Sequence, residues 1–344
     1  MNESSGMSEG IVVGVDVGGT KTAILVCAPD GTVLARSVAP TAIGNRDRAA
    51  DAISALVEAA LHNAGVKRQD VAALGIGVPG RVDRERGHVT LAVNLDWHEL
   101  PLGPRLEARL GIPAFVDNDV RAAALGLHRR RLFGPVESLA LLAIGTGISA
   151  GVVLDGVLRH GSLGLAGEIG HAIIDRDGPI CACGNQGCFE AVAAGPAIVS
   201  RTLRGWAARR NGQPADPRET ATGADAVYAA AAAGDEVARE VVESTGRAIA
   251  WGIHMLALAY DVERIVIGGG VSHAGAAFMA PIRRELDRYR EASPLAAEIL
   301  LPDLVQLLPA GADAGAWGAV TVARESLDAR RVAAVADRRE VGHA

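Results

Sequence analysis

Apolar and β-branched residues run almost unbroken from Ile11 to Val17, stop at Gly18-Gly19-Thr20 and resume from Thr22 to Ala28. They turn at Asp30-Gly31 and continue from Thr32 to Val38. Short apolar runs separated by turn residues predict a meander of three strands. The same arrangement returns later in the chain. An apolar run from Leu139 to Ile144 ends at Gly145-Thr146-Gly147, a second run reaches Leu154, and Asp155-Gly156 leads into a third short strand. Thr20 precedes Asp30 by ten positions and Thr146 precedes Asp155 by nine. One supersecondary unit therefore occurs twice. Two like halves, each with a Gly-Thr hairpin, predict two lobes facing across a cleft.

Between the repeats the pattern predicts a helix over Arg46–Ala64, a strand over Val71–Val78, a short strand at Ala114–Val116 and a helix starting at Asp119. Beyond a cluster of cysteines the chain turns largely helical from Pro196 through Ala259, interrupted by a polar loop at Asn211–Gly223. The alanines of Ala229–Ala233 favour helix by propensity. A strand at Arg264–Ile267, a Gly268-Gly269-Gly270 turn and a further helix make a late βα unit. The last residues are charged and read as a frayed helix or tail.

Composition narrows the function classes. Of 344 residues, 49% are hydrophobic and 22% charged, which suits a packed core and excludes global disorder. The net charge of −6 argues against a general nucleic-acid coat, which needs a basic surface. No apolar stretch reaches the roughly 18 residues of a membrane span. The polar, Gly/Ser-rich start lacks the basic and apolar regions of a signal peptide. The expectation is a soluble cytoplasmic protein with no membrane or nucleic-acid partner.

Several motifs carry candidate chemistry. In Asp16-Val17-Gly18-Gly19-Thr20-Lys21, two glycines let backbone N–H groups approach a phosphate and Thr20 adds a hydroxyl. Asp16, at a strand end, can hold Mg²⁺ through water. An ordinary Gly-Gly hairpin would look the same, but the second hairpin at Gly145-Thr146-Gly147 favours a triphosphate held by a loop from each half. Gly75 to Gly80 matches a dinucleotide fingerprint, yet the stretch after it lacks the apolar stripe of the required helix. A tight Pro79-Gly80 turn lining a ligand cleft fits better. Gly268-Gly269-Gly270 allows close approach of a flat ring or a phosphate, or simply tight strand–helix packing. Asp117-Asn118-Asp119 lies between a strand and a helix, where Asn118 can cap the helix and Asp119 can act as general base. The basic run His128-Arg129-Arg130-Arg131 reads as a solvated helix end.

The most specific signal is Glu168-Ile169-Gly170-His171 followed by Cys181, Cys183 and Cys188, with Glu190 two residues on. Three thiolates and an imidazole make a tetrahedral zinc site, with Gly184 and Gly187 allowing the loop to turn back. Four protein ligands leave zinc no open position, so its role would be structural. A reduced cysteine cluster is the alternative.

Taken together, these motifs resemble the ROK family (repressors, open reading frames, kinases) of sugar kinases. The match covers about Ile11 to Ala319, and the zinc cluster after Glu-x-Gly-His is its most specific part. The resemblance implies an α/β actin-like, ribonuclease-H-like fold of two lobes with internal duplication. A small lobe would span residues 1–120, rejoined by a helix near 313–327, a large lobe 121–312, and a flexible tail 328–344. It implies ATP with Mg²⁺ at Asp16, Gly18, Gly19, Thr20, Lys21, Gly145, Thr146, Gly147, Gly268, Gly269 and Gly270. A hexose would be held by Gly77, Pro79, Asn94, Asn118, Asp119, Glu168, His171 and Glu190. Asp119 would deprotonate the sugar 6-hydroxyl, glucose being the first choice. N-acetylmannosamine, another amino sugar such as kanosamine, a polyphosphate donor and a sugar-sensing regulator are the alternatives. A homodimer or homotetramer is expected. This sequence departs from the family in having Ala194 where relatives carry Ser, and no acidic residue in Leu125–His128.

Overall fold

The computed structural model describes residues 10–41, 46–209 and 222–341. Most of the polar loop expected over Asn211–Gly223 lies outside them. Contacts divide the chain into two units. One takes in the chain up to Pro135, Leu158–Leu165 and everything from Asp313; the other takes in Val136–Val157 and Ala166–Ala312.

The first unit is built on strands β1 (Ile11–Val17), β2 (Lys21–Cys27), β3 (Val33–Pro40) and β4 (Val71–Val78). Strands β5 (Arg81–Asp83), β6 (His88–Ala92) and β7 (Trp97–Leu100) form a separate small sheet, and β8 (Ala114–Asn118) completes the main one. The main sheet has the order β3-β2-β1-β4-β8, with β2 antiparallel to β1 and β4 parallel to β1 and β8. Its helices are α1 (Arg46–Ala64), α2 (Leu102–Leu110) and α3 (Asp119–Arg129).

The apolar run of β1 is continuous because both faces are covered. Val13, Val15 and Val17 enter one core with Ile53, Val57 and Trp97, while Val12 enters another with Ala316, Val320 and Ala323. The second core belongs to the last helix, which runs from Ala314 to Val341. This helix lies against the backbone of the sheet. A Cβ on Gly14 would come within 2.4 Å of the Ala316 carbonyl oxygen, and one on Gly75 within 1.9 Å of that of Ala319. Gly14 and Gly75 are register partners on adjacent strands. Gly75 thus serves helix–sheet packing inside a strand, and only Pro79-Gly80 forms the turn. Gly126 of α3 similarly abuts Gly318. With α3 packed there, the first unit extends past the expected boundary at residue 120 to Pro135. Residues 328–341, expected as a frayed helix or flexible tail, continue the helix. The basic run at the end of α3 is exposed, as expected, and also makes contacts: Arg129 pairs with Glu325 at 2.5 Å, and the Arg130 guanidinium lies 4.0 Å over the Trp317 ring.

The second unit repeats the plan. Strands β9 (Leu139–Ile144), β10 (Ile148–Leu154), β11 (Val157–Leu158), β12 (Arg264–Gly268) and β13 (Val305–Leu307) form a sheet of order β11-β10-β9-β12-β13. Again the hairpin pair β9–β10 is antiparallel, and β12 is parallel to β9 and β13. The duplication read from two Gly-Thr hairpins is thus present in the strand order of whole sheets. Helices α4 (Phe189–Ala193), α5 (Gly195–Arg209), α6 (Ala224–Ala232), α7 (Glu236–Tyr260), α8 (Ala276–Ala292) and α9 (Pro294–Ile299) complete the unit, and Ala314–Val341 of the first unit is α10. Phe189, Trp206, Ile249, Ile253 and Phe278 fill the core.

Candidate functional site

In the first unit, Gly18-Gly19-Thr20 is the exposed turn between β1 and β2. Gly18 N–H donates to the Lys21 carbonyl at 3.0 Å, and Thr41 secures the turn twice. Its N–H reaches the Thr20 carbonyl at 3.0 Å and its Oγ1 the Gly18 carbonyl at 2.8 Å. Asn94 lies beside Gly19, its Cβ about 4.0 Å from where a Cβ on that glycine would stand.

Two carboxylates meet at the strand ends. Asp16 of β1 is the register partner of Gly77 on β4. A Cβ on Gly77 would stand 3.3 Å from Asp119 Cα and 3.8 Å from Asp16 Oδ1. Glycine here makes room for both acids. Desolvation first, then the charge of Asp119, pushes the Asp16 carboxyl up to about 7, against the lowering effect of Lys21, with Asp313 adding to the rise. Surplus negative charge around one cation is what a hydrated Mg²⁺ would relieve.

The shift has a consequence for stability. A carboxyl whose folded pKa is raised contributes stability that is complete below its unfolded value near 3.8 and lost as pH rises through about 7. Metal-free protein is therefore expected to lose this contribution across that window, and Asp16→Asn should lose less. Chemical denaturation at a series of pH values, in chelator, makes the comparison. Parallel pH profiles for parent and variant would refute the shift.

Asn118 ends β8 and caps α3. Its Oδ1 accepts from the Arg121 N–H at 3.0 Å, and its Nδ2 donates to the Gly80 carbonyl at 3.1 Å. The second Nδ2 hydrogen has no partner among the described residues. Asp119 opens α3, with its Oδ1 accepting from the Val120 N–H at 2.9 Å.

In the second unit, Gly145-Thr146-Gly147 joins β9 to β10 and is gripped at both stems. Gly195 N–H donates to the Gly145 carbonyl at 2.8 Å, and Glu190 Oε2 accepts from the Ile148 N–H at 2.9 Å. A Cβ on Gly147 would lie 2.5 Å from that carboxylate oxygen. Gly270 N falls 3.8 Å from the Cβ position of Gly145, so the late glycine turn stands next to the hairpin. Ala194 is buried in the apolar core. Glu168 precedes a single 3₁₀ turn, Ile169–His171, and Gly167 just before it accepts from the Ala150 N–H of β10 at 2.7 Å.

The four expected metal ligands converge. Donor atoms of His171, Cys181, Cys183 and Cys188 all lie within 4.8 Å of one another. His171 Nδ1 is 3.7 Å from Cys181 Sγ, and Cys183 Sγ is 3.6 Å from Cys188 Sγ. Zinc–sulfur bonds of about 2.3 Å and zinc–nitrogen bonds of about 2.0 Å in a tetrahedron separate sulfur pairs by about 3.8 Å and sulfur from nitrogen by about 3.5 Å. The quartet fits that ion. The Asn185 N–H draws the Cys183 thiol down to about 7, while burial pushes Cys188 up to about 12. Gly187 allows the fold-back, since a Cβ there would fall 1.4 Å from the Asp175 carbonyl oxygen.

The ROK family profile matches residues 12–326. The chain belongs to the ROK family. It is 33% identical to a glucokinase from Streptomyces coelicolor over 92% of this chain and 98% of that one. An N-acetylmannosamine kinase from Escherichia coli is 34% identical over 76% of this chain and 83% of its own. A ROK family glucokinase from Streptomyces griseus, solved with glucose and AMPPNP, superposes with a TM-score of 0.76 at 33% identity, over 92% of this chain and all of that one. The fold of this ROK protein is the actin-like ATPase fold, with its duplicated sheet.

Sequence reasoning missed four residues in two places. Asp313 and Gly315 stand at the start of α10, where a Cβ on Gly315 would meet Asp16 Oδ2 at 2.1 Å. The glycines and alanines flanking Trp317 were the available signal. Arg84 and His160 both contact Asp117, and no spacing links these positions.

Proposed function

We propose that this ROK protein is an ATP-dependent hexose kinase acting on the 6-hydroxyl of glucose. The observation that carries the reading is the pairing of Asp119 with Asp16 at the strand ends beside a Gly-Gly-Thr turn. It is supported by the likeness to a glucokinase bound to glucose and a nucleotide analogue. Asp119 accepts the hydroxyl proton as the oxygen attacks the γ-phosphate, and the remaining Asn118 N–H orients that hydroxyl. Gly77, Pro79, Asn94, Glu168, His171 and Glu190 are the further sugar contacts. Gly18, Gly19, Thr20 and Lys21, with Gly145, Thr146, Gly147, Gly268, Gly269 and Gly270, serve the nucleotide. Asp16 would hold Mg²⁺, which supplies charge neutralisation at the phosphates when bound. His171, Cys181, Cys183 and Cys188 hold a structural zinc.

The deciding experiment is a coupled ATP-consumption assay over glucose, mannose, fructose, N-acetylmannosamine and amino sugars, with polyphosphate as an alternative donor and product analysis by NMR. Glucose with ATP should give the highest kcat/KM and a 6-phosphate. The resemblance to N-acetylmannosamine kinases makes that sugar the second reading, and its preference over glucose would overturn the first.

Glu190 has two duties in this scheme, one oxygen bracing the hairpin at Ile148 and the carboxylate also meeting sugar. Losing an acceptor for a backbone N–H costs about 1–2 kcal/mol. Glu190→Ala should therefore weaken binding of a non-hydrolysable ATP analogue roughly 5- to 30-fold even without sugar. Glu190→Gln, which keeps an accepting oxygen, should recover most of that loss. Titration calorimetry reads both, and unchanged nucleotide affinity in Glu190→Ala would show that the brace is irrelevant to the loop.

A further inference from the structure

Asp117 is the penultimate residue of β8 and has no solvent-accessible surface. A carboxylate in such a place is a poor way to gain stability, because desolvation offsets most of the attraction to its partners. Here it gathers donors from three separate segments of the first unit. Oδ2 forms an ion pair with Arg84 Nε at 2.9 Å, just beyond β5, and accepts from His160 Nε2 at 3.0 Å, in the Leu158–Leu165 segment. Arg121 Nε, in the first turn of α3, stands 3.9 Å from Oδ1. The triangle closes on itself, since His160 Nδ1 is 3.4 Å from Arg84 Nη1. With its proton on Nε2, a neutral His160 donates to Asp117 and accepts from Arg84.

The remaining contact gives the cluster its direction. Asp117 Oδ1 accepts from the backbone N–H of Asn118 at 2.7 Å. That N–H belongs to the peptide joining the last two strand residues, immediately before the chain turns from extended geometry into α3. Fixing this peptide plane fixes where Asn118 leaves the strand, and Asp119 is the next residue. Arg84 and His160 hold the carboxylate from outside the strand, so its grip on the peptide does not depend on β8 alone.

We propose that Asp117 is a positioning residue for the general base, acting through the Asn118 backbone N–H, and that Arg84 and His160 lock it in that role. The proposal rests on the reading of Asp119 as the base. It concerns geometry at the reacting hydroxyl, where a misplacement of about 1 Å costs up to ~100-fold in rate. Nucleotide affinity should be untouched.

The test uses His160→Leu and His160→Gln, each made alone and together with Asp119→Asn, because replacing Asp117 itself would also remove a buried charge beside Arg121. His160→Leu should lower kcat on glucose by ~10-fold or more, with KM for ATP within about twofold of the parent. His160→Gln, whose amide can donate to Asp117, should restore most of kcat. On the Asp119→Asn background, His160→Leu should cost nothing further, since no base remains to be positioned. A His160→Leu kcat within twofold of the parent, or an equal loss on both backgrounds, overturns the proposal. If His160→Leu does not fold, Arg84→Leu and Arg84→Lys probe the same carboxylate from its solvent side with the same expectations. An Asp119→Asn variant of parental turnover would instead discard the base assignment, whatever the His160 variants do.

Discussion

Replacing Asp119 by Asn is expected to lower kcat on the best sugar by about 10²–10⁴, the usual cost of removing a general base. Sugar affinity should stay within a few-fold of the parent. Asparagine keeps the side-chain shape and an oxygen for the Val120 N–H that Asp119 Oδ1 now accepts at 2.9 Å. The local fold at the start of α3 therefore survives, and the proton acceptor does not. The variant has a second readout. The charge of Asp119 helps push Asp16 up to about 7, so its removal should let the Asp16 carboxyl fall back toward its ordinary value. Metal-free Asp119→Asn should accordingly be more stable than the parent near pH 7, while almost inactive. Steady-state kinetics, sugar titration and denaturation at neutral pH together separate a lost base from a damaged fold. A variant with more than half the parental kcat would remove Asp119 from its role.

Loss of a proposed zinc ligand should have effects of comparable size on binding. Cys183→Ala removes one of four donors that all lie within 4.8 Å, and metal-binding free energy in such a loop is local folding free energy. The loop also carries backbone bonds of its own. Gly187 N–H bonds the Pro179 carbonyl at 2.8 Å and Ile174 N–H the Gly187 carbonyl at 2.9 Å. His171 at one end and Glu190 just past the other are proposed sugar contacts. Two charge-assisted hydrogen bonds at about 1.5 kcal/mol each make a loss of sugar affinity on the order of 100-fold. Glu190 also braces the Gly145–Gly147 hairpin, so nucleotide affinity should fall as well, by the smaller amount expected for Glu190→Ala. Elemental analysis of parent and variant, thermal unfolding and separate titrations with sugar and nucleotide test the chain of effects. A parent protein prepared without chelators and holding no zinc, or a variant binding sugar normally, would break it.

Much of this molecule was legible in order along the chain. Strand runs such as Val71–Val78 and Leu139–Ile144, and the helix over Arg46–Ala64, carry their signals within a few residues, because backbone pairing and turn chemistry are local. The repeated Gly-Thr hairpins announced a duplication that the two sheets show in full, since each half solves the same packing problem with the same strand order. The Cys₃His quartet was legible for a similar reason: thiolates within eight residues of one another need only a tight loop to converge. Other features arose only when distant segments met. Nothing near Gly75 in the chain shows why a glycine stands inside that strand; α10, more than two hundred residues later, brings the Ala319 carbonyl oxygen within 1.9 Å of its Cβ position. The small β5–β7 sheet escaped notice because its strands are three to five residues long, too short to show a period. Arg84, Asp117 and His160 have no common spacing, and their encounter depends on how two loops close on β8. Sequence by itself determined the local elements, the duplication and the chemical types of the site residues, all of which follow from neighbouring side chains. Only the tertiary structure decided which glycines admit a helix and which acid holds the peptide beside Asp119, because both depend on contacts that no local pattern encodes.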